Sequence, residues 1–199
     1  MDVYLASGNA HKLEEFTELL SQHQLTLNLY STTMVGGMPD VDESGDTFEE
    51  NARIKAEALV ELVPAGAWVL SDDSGLSVDA LDGKPGVRSA RFAGPGGNAA
   101  ANNIKLLQVM HDFPLEERTA HFACVLCFMK KGSLGICFEG RCDGHIMTAP
   151  SGIKGFGYDP LFRPLGYSKT FADLGSEVKH ELSHRGKAFA AWADYVKAL

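Results

Sequence analysis

Several stretches of this chain combine residue types that do chemistry. Ser71-Asp72-Asp73-Ser74-Gly75-Leu76 is a polar break between the apolar Trp68-Val69-Leu70 and the alternating Leu76-Ser77-Val78. Two adjacent carboxylates at the end of a buried-looking strand are costly unless a cation meets them, and a divalent metal is the natural candidate. Gly75 would relieve a bend there, and Ser74 offers a hydroxyl or a backbone donor to an arriving ligand. An Asp-rich turn joining two strands is the competing reading. Glu43 supplies another hard oxygen from a separate loop. So small an acidic set suits Mg²⁺, which keeps several waters and takes one or two carboxylates together with phosphate oxygens, better than an all-protein Ca²⁺ cage. A solvated loop acid is the plain alternative for Glu43.

Ser7-Gly8-Asn9-Ala10-His11-Lys12 joins a tight turn, a helix N-terminus and a lysine. Free backbone N–H groups and the helix dipole there suit a phosphate, although the second glycine and the Ser or Thr of a Walker A loop are missing and a simple helix cap reads equally well. Gly155-Phe156-Gly157-Tyr158-Asp159-Pro160 sets an aromatic ring between two glycines, so that a planar base could stack on Phe156; a packed turn competes. Ser183-His184-Arg185, with Lys179 upstream, offers donors just before the last helix, or is a plain helix N-terminus.

The elements that must carry these residues follow from periodicity. Residues 3–6 read as a strand, 10–22 as a helix with Leu13, Phe16, Leu19 and Leu20 at helical spacing, and 25–30 as a second strand, a βαβ unit with a parallel pair. Residues 31–46 form a long polar connection. Thr47-Phe48-Glu49-Glu50 is a capping box opening a helix to about residue 62, on which Asn51 and Lys55 lie one turn apart and could reach one ligand. A further helix is expected over 98–111, an antiparallel strand pair over 119–130 and 134–143, and an amphipathic helix over 185–199.

A chain of 199 residues fits one domain, or two small lobes around a cleft. Its net charge of −8 argues against a sequence-independent nucleic-acid binder. Nothing approaches the apolar length of a membrane span, and a cytoplasmic protein is the default expectation. Cys124 and Cys127 have C-x-x-C spacing but fall on an expected strand, where positions three apart point to opposite faces; reduced, mostly buried thiols are the better reading of the four cysteines. No His and Cys cluster has zinc-ligand spacing, and no G-x-S-x-G elbow is present.

Taken in order, Ser7-Gly8-Asn9 with Lys12, Thr47-Phe48 with Glu50-Asn51 and Lys55, the Ser71 to Leu76 run, Pro85-Gly86-Val87 with Ser89-Ala90-Arg91, the Gly155 to Pro160 run and Ser183-His184-Arg185 closely resemble the inosine/xanthosine triphosphate pyrophosphatase family, across nearly the whole chain. The resemblance implies a single domain over residues 1–199 with an elongated, mixed-sheet, two-lobed α/β fold, a central nucleotide cleft and a homodimer. It implies Mg²⁺-dependent hydrolysis of deaminated purine nucleoside triphosphates (ITP, dITP and XTP) to the monophosphate and pyrophosphate, removing them from the nucleotide pool. By position, Ser7, Gly8, Asn9, Ala10, His11 and Lys12 resemble the phosphate loop and Lys55 a phosphate ligand. Glu43 and Asp73 resemble the metal-site carboxylates, with Asp72 a further candidate and Asp73 also the proton acceptor. Ser74, Phe156, Gly157, Tyr158, Asp159, Lys179, His184 and Arg185 resemble the substrate-contacting set. Within that set Arg185, which can only donate hydrogen bonds, is the expected reader of a 6-oxo group. A pyrophosphatase for another modified nucleotide and a nucleotide-binding sensor without turnover are the alternatives. The acidic set favours an enzyme, because a binder needs no group that activates water.

Overall fold

The computed structural model describes residues 1–199. Strand β1 (Asp2–Ala6) leads through a three-residue turn into helix α1 (Ala10–Gln22), and β2 (Asn28–Ser31) returns parallel to β1, with Asp2 opposite Asn28. The expected βαβ unit is present, but β2 starts later than residue 25. The α1 terminus takes up the intervening residues: Gln24 adopts a positive φ of 54°, and the Leu25 N–H bonds back to the Leu20 carbonyl, so Leu25 and Leu27 pack on the core without joining the sheet.

Helix α2 (Phe48–Val60) opens on the expected capping box: the Glu50 N–H donates to Thr47 Oγ1, and the Glu50 carboxylate accepts from the Thr47 N–H. Strand β3 (Trp68–Val78) follows, then a short 3-10 helix over Gly86–Arg91, helix α3 (Ala99–Val109), strands β4 (Thr119–Lys130) and β5 (Ile136–Ile146), the three-residue β6 (Phe162–Pro164), and helices α4 (Ser176–Leu182) and α5 (His184–Lys197). The six strands form one mixed sheet in the order β2-β1-β3-β4-β5-β6, with β3 parallel to β1 and β6 antiparallel to β5. No helix is long and apolar enough to cross a membrane.

Two expectations are corrected here. The Asp72-Asp73 pair is not at a strand end or in a turn, because β3 runs unbroken through it from Trp68 to Val78. Ionic partners described below let the polar residues stay in the sheet. Strand β5 extends past residue 143 to Ile146, since the unforeseen β6 gives its last residues a partner, Ile146 opposite Phe162.

The chain divides into two compact units. The first comprises residues 1–73, 124–140 and 185–199. Strand alternation there gives each sheet face its own core. Val3, Leu5, Leu70, Leu126 and Phe128 meet Phe16 and Leu19 of α1 and Phe189 and Trp192 of α5. On the other face Tyr4, Ala6, Val69 and Val125 meet Ala52, Ala56 and Leu59 of α2. Cys124 belongs to the first face and Cys127 to the second, as their spacing requires, and all four cysteines are free thiols.

The second unit comprises residues 74–123 and 141–184. Its core joins Leu76 and Val78 to Leu106 of α3 and Met110 just after that helix, and to Phe122, Phe162 and Phe171, whose rings pack at 4.6 Å (Phe122–Phe162) and 5.3 Å (Phe162–Phe171). Arg118 is buried among backbone carbonyls, its Nη2 donating to Met110 at 2.6 Å and its Nε to Phe113 at 2.9 Å, which satisfies acceptors left open where α3 ends.

Since the capping box starts the helix that carries Lys55, Thr47→Ala is expected to lower stability by about 1 kcal/mol. Urea unfolding should show an earlier midpoint with an unchanged slope.

Candidate active site

The register of β1 against β3 sets the first group of residues. Ala6, the last residue of β1, lies opposite Ser71. The loop that follows β1 therefore emerges beside the Asp pair, at the carboxyl end of a parallel strand, the usual position for ligands in such sheets. Within the loop Asn9 caps α1, its Oδ1 accepting from the His11 N–H at 2.9 Å, and Ser7 Oγ accepts from the Asn9 N–H at 3.1 Å. Gly8, Asn9, Ala10 and His11 are exposed, and a Cβ built on Gly8 would meet no atom within 4 Å. The protein leaves that side of the loop open.

Alternation along β3 sends Asp72 and Asp73 to opposite faces, and each meets cations carried by the helices of its own face. Lys12 of α1 donates to Asp72 Oδ1 at 2.5 Å, and Arg185 of α5 donates through Nε to Asp72 Oδ2 at 2.7 Å. The same guanidinium reaches Glu15 Oε2 through Nη1 at 2.6 Å, and the Cys124 thiol donates to Asp72 Oδ2 at 3.5 Å. Asp72 is 1% exposed. Burial pushes its carboxyl up, but the charges of Arg185 and Lys12 outweigh that and hold it well below the usual carboxylate range.

Asp73 is different. Lys55 of α2 donates to its Oδ1 at 2.5 Å and lies 3.9 Å from Glu43, whose side chain is partly exposed. Asp73 Oδ2 is buried and has no hydrogen-bond partner in the protein. Burial pushes this carboxyl above its ordinary value, with Lys55 pulling the other way. The two lysines also share one acceptor: Lys55 Nζ donates to the Asp72 carbonyl at 2.9 Å and Lys12 Nζ to the same oxygen at 3.3 Å. Two ammonium groups from different helices therefore stand together beside a carboxylate oxygen that nothing engages.

That orphan oxygen tests whether a cation fits. A buried, unpartnered carboxylate oxygen is costly and becomes favourable once a cation occupies it. No group of three or more His, Cys, Asp or Glu side chains gathers as a protein cage, so a cation held by Asp73 would complete its shell from water or ligand oxygens, as Mg²⁺ does. Asp72, by contrast, has both oxygens engaged by protein cations.

In the second unit, Phe156 lies between Gly155 and Gly157, at φ of +72° and +63°, a conformation that glycine adopts without strain. A Cβ on Gly155 would collide with the Asp159 carboxylate. Asp159 Oδ2 accepts from the Phe156 N–H at 2.8 Å and from Lys179 Nζ at 2.8 Å, and that ammonium stands 5.0 Å over the Phe156 ring. Tyr158 is buried and donates to the Ser89 carbonyl at 2.9 Å. His184 stacks on Phe122 at 4.7 Å.

The structure thus brings Lys12, Lys55, Asp72, Asp73, Glu43 and Arg185 together in one unit, and Phe156 to Asp159 with Lys179 in the other. The boundary between units falls at Asp73/Ser74 and at His184/Arg185. Arg185, read from the sequence as a donor to a base, has Nε and Nη1 committed to carboxylates. Asn51, expected to reach a ligand together with Lys55, is instead buried, accepts from the Gly45 N–H at 2.9 Å and donates to the Gly45 carbonyl at 3.2 Å, anchoring the loop that carries Glu43. Glu15 went unnoticed in the sequence, and Cys124 and Ser89 were named there without the contacts they make here, because nothing marks a lone helical Glu or a strand Cys as the neighbour of a buried ion pair.

A family model described as the Ham1 family matches residues 3–195. A relative from Opitutus terrae named dITP/XTP pyrophosphatase is 47% identical over 98% of this chain and 98% of its own. Among solved structures, a HAM1 protein from Coxiella burnetii is 35% identical with a TM-score of 0.88, covering 100% of both chains. A nucleoside-triphosphatase, dITP/XTP pyrophosphatase, from Mycobacterium abscessus is 41% identical with a TM-score of 0.76, over 96% of this chain and 97% of its own.

Asp72→Asn leaves two buried cations short of their shared anion, and a loss of about 3 to 5 kcal/mol at pH 7 is expected. Because Asp72 is held below the value of roughly 3.9 it has in an unfolded chain, its contribution is complete well above that pH and disappears as the pH falls through about 4 towards its folded value. Urea unfolding of both proteins between pH 7 and pH 3 should show their stabilities converging in acid. Parallel pH profiles would contradict this account.

Proposed function

The chain belongs to the Ham1 family, and we propose that it hydrolyses deaminated purine nucleoside triphosphates, ITP, dITP and XTP, to the monophosphate and pyrophosphate. The observation that carries this reading is the convergence of Lys12 and Lys55 on the Asp72 carbonyl, beside the unpartnered Oδ2 of Asp73. Relatives matched over nearly their full length carry the name dITP/XTP pyrophosphatase, which supports the same substrate class.

The triphosphate is bound by the two ammonium groups and by the exposed turn around Gly8 at the start of α1, where the helix dipole favours an anion. Lys12 and Lys55 hold phosphate oxygens in place and contribute position and charge more than proton transfer. Asp73 Oδ2 accepts a proton from the water that attacks phosphorus. Lys55 on Oδ1 fixes the orientation of the carboxylate. Asp73, with Glu43, is also the set that would hold Mg²⁺; with the ion on Oδ2 the carboxylate would be a weaker base, and Asp73 would then orient the water instead of taking its proton. A bound Mg²⁺ supplies positive charge against the phosphate oxygens in the transition state.

The base is read by the second unit's loop. Phe156 offers a ring for stacking, worth about 1 to 3 kcal/mol, and Lys179 places a group that can only donate beside that ring. Hypoxanthine and xanthine present a 6-oxo acceptor, whereas adenine presents a 6-amino donor. Lys179 is therefore a residue suited to discriminate them.

The test is pyrophosphate release from ITP, XTP and ATP with Mg²⁺. ITP and XTP should be cleaved with kcat/KM at least about 100-fold above ATP, since a site built for one hydrogen-bond pattern rejects the opposite one strongly. Lys179→Met should narrow that gap by slowing ITP and XTP most. Equal kcat/KM for ATP and ITP in the unaltered protein would sink the base-reading proposal. Asp73→Asn keeps the size and removes the charge, and should lower kcat by about 100-fold or more while ITP binding stays measurable. EDTA should abolish turnover and added Mg²⁺ restore it.

A further inference from the structure

We propose that Asn103 of α3 is a positioning residue for the base, acting through the Gly157 peptide; the inference rests on the reading of Phe156 as the stacking ring. Its Nδ2 donates to the Gly157 carbonyl at 2.9 Å. Its Oδ1 is buried and has no partner in the protein. Asparagine is a weak helix former, and a buried acceptor without a donor is unfavourable, so nothing in the stability of α3 favours this residue. What it provides is the hold on Gly157.

The neighbouring residue makes the contrast plain. Asn102 uses its whole amide on one segment, accepting from the Ala93 N–H at 2.7 Å and donating to the carbonyls of Ser89 and Ala90 at 3.2 and 3.0 Å. The Ser89 carbonyl it holds also accepts from the Tyr158 hydroxyl at 2.9 Å. Adjacent asparagines on one helix thus grip the loop twice, through Ser89 to Tyr158 and directly at Gly157. On the other side of the ring the Phe156 N–H is held by Asp159. The Gly155–Phe156 peptide before the ring and the Gly157–Tyr158 peptide just beyond it are therefore both held before a ligand arrives, which lowers the ordering cost of stacking. The local backbone closes this turn only through the Asp159 N–H on the Phe156 carbonyl at 3.3 Å, and Asn103 adds the hold on the Gly157 carbonyl, where the left-handed glycine leaves the chain most freedom.

The experiment compares the unaltered protein with Asn103→Ala and with Asn103→Asp, which keeps the shape and loses the donor. Both variants should raise KM for ITP by about 3- to 10-fold, the value of one hydrogen bond. In both, kcat and inhibition by tripolyphosphate, which has no base, should be unchanged. The melting temperature of Asn103→Ala should stay level or rise. An Asn103→Ala protein with unaltered KM would overturn the inference. So would one in which melting temperature, kcat and tripolyphosphate affinity all decline, because that marks a general structural role. If the unaltered protein neither binds nor cleaves ITP, the functional reading fails first, and this inference with it.

Discussion

A carboxylate buried on an interior strand has to be answered by the helices packed on its own face of the sheet, and in the first unit α1 and α5 do so for Asp72. Asp72 lies on β3 at 1% exposure, with Lys12 on one oxygen and Arg185 on the other. Taking such ions out of water costs several kcal/mol each, and the loss is recovered only when the geometry is good and remaining donors are occupied. Glu15 serves that purpose for the far side of Arg185. Helices α1 and α5 are held to β3 by this network as well as by the apolar packing of Phe16, Phe189 and Trp192. Its polar members are what allow β3 to continue where the sequence reads as a break.

Asp73, next along the strand, points to the opposite face and meets only one close cation. The adjacent carboxylates thereby acquire opposite characters from the same strand. One is locked in its ionised form by cations on both oxygens, and the other is raised by burial and left with an open oxygen. The inert member still shapes the reactive one's surroundings, because the Asp72 backbone carbonyl draws Lys12 and Lys55 to one place. In the second unit the same economy recurs on a loop, where Asp159 both fixes the Phe156 backbone and holds the Lys179 ammonium over the ring.

Much of the fold was legible because it depends on short-range rules. The 3.6-residue spacing of Leu13, Phe16, Leu19 and Leu20 marks α1 with the bounds observed, and Thr47 with Glu50 marks the start of α2, since capping is decided within one turn. Alternation correctly separated Cys124 from Cys127. Strand ends were read less well, because β2 and β5 begin and end where a partner strand does. The three-residue β6 has no local signature at all.

For the site, the sequence by itself determined which chemistries were available: paired carboxylates, lysines at helix starts, and an aromatic ring between glycines, each a matter of residue type and nearest neighbours. Only the tertiary structure decided which carboxylate is neutralised and which stays open, that Asn51 anchors a loop, that Arg185 answers Asp72 and Glu15, and that Asn103 holds Gly157. Arg185 and Asp72 are 113 positions apart in the chain. Side chains so distant meet through sheet register and helix packing, and the pKa and partner of a buried group follow from those neighbours, whose identity no local pattern encodes.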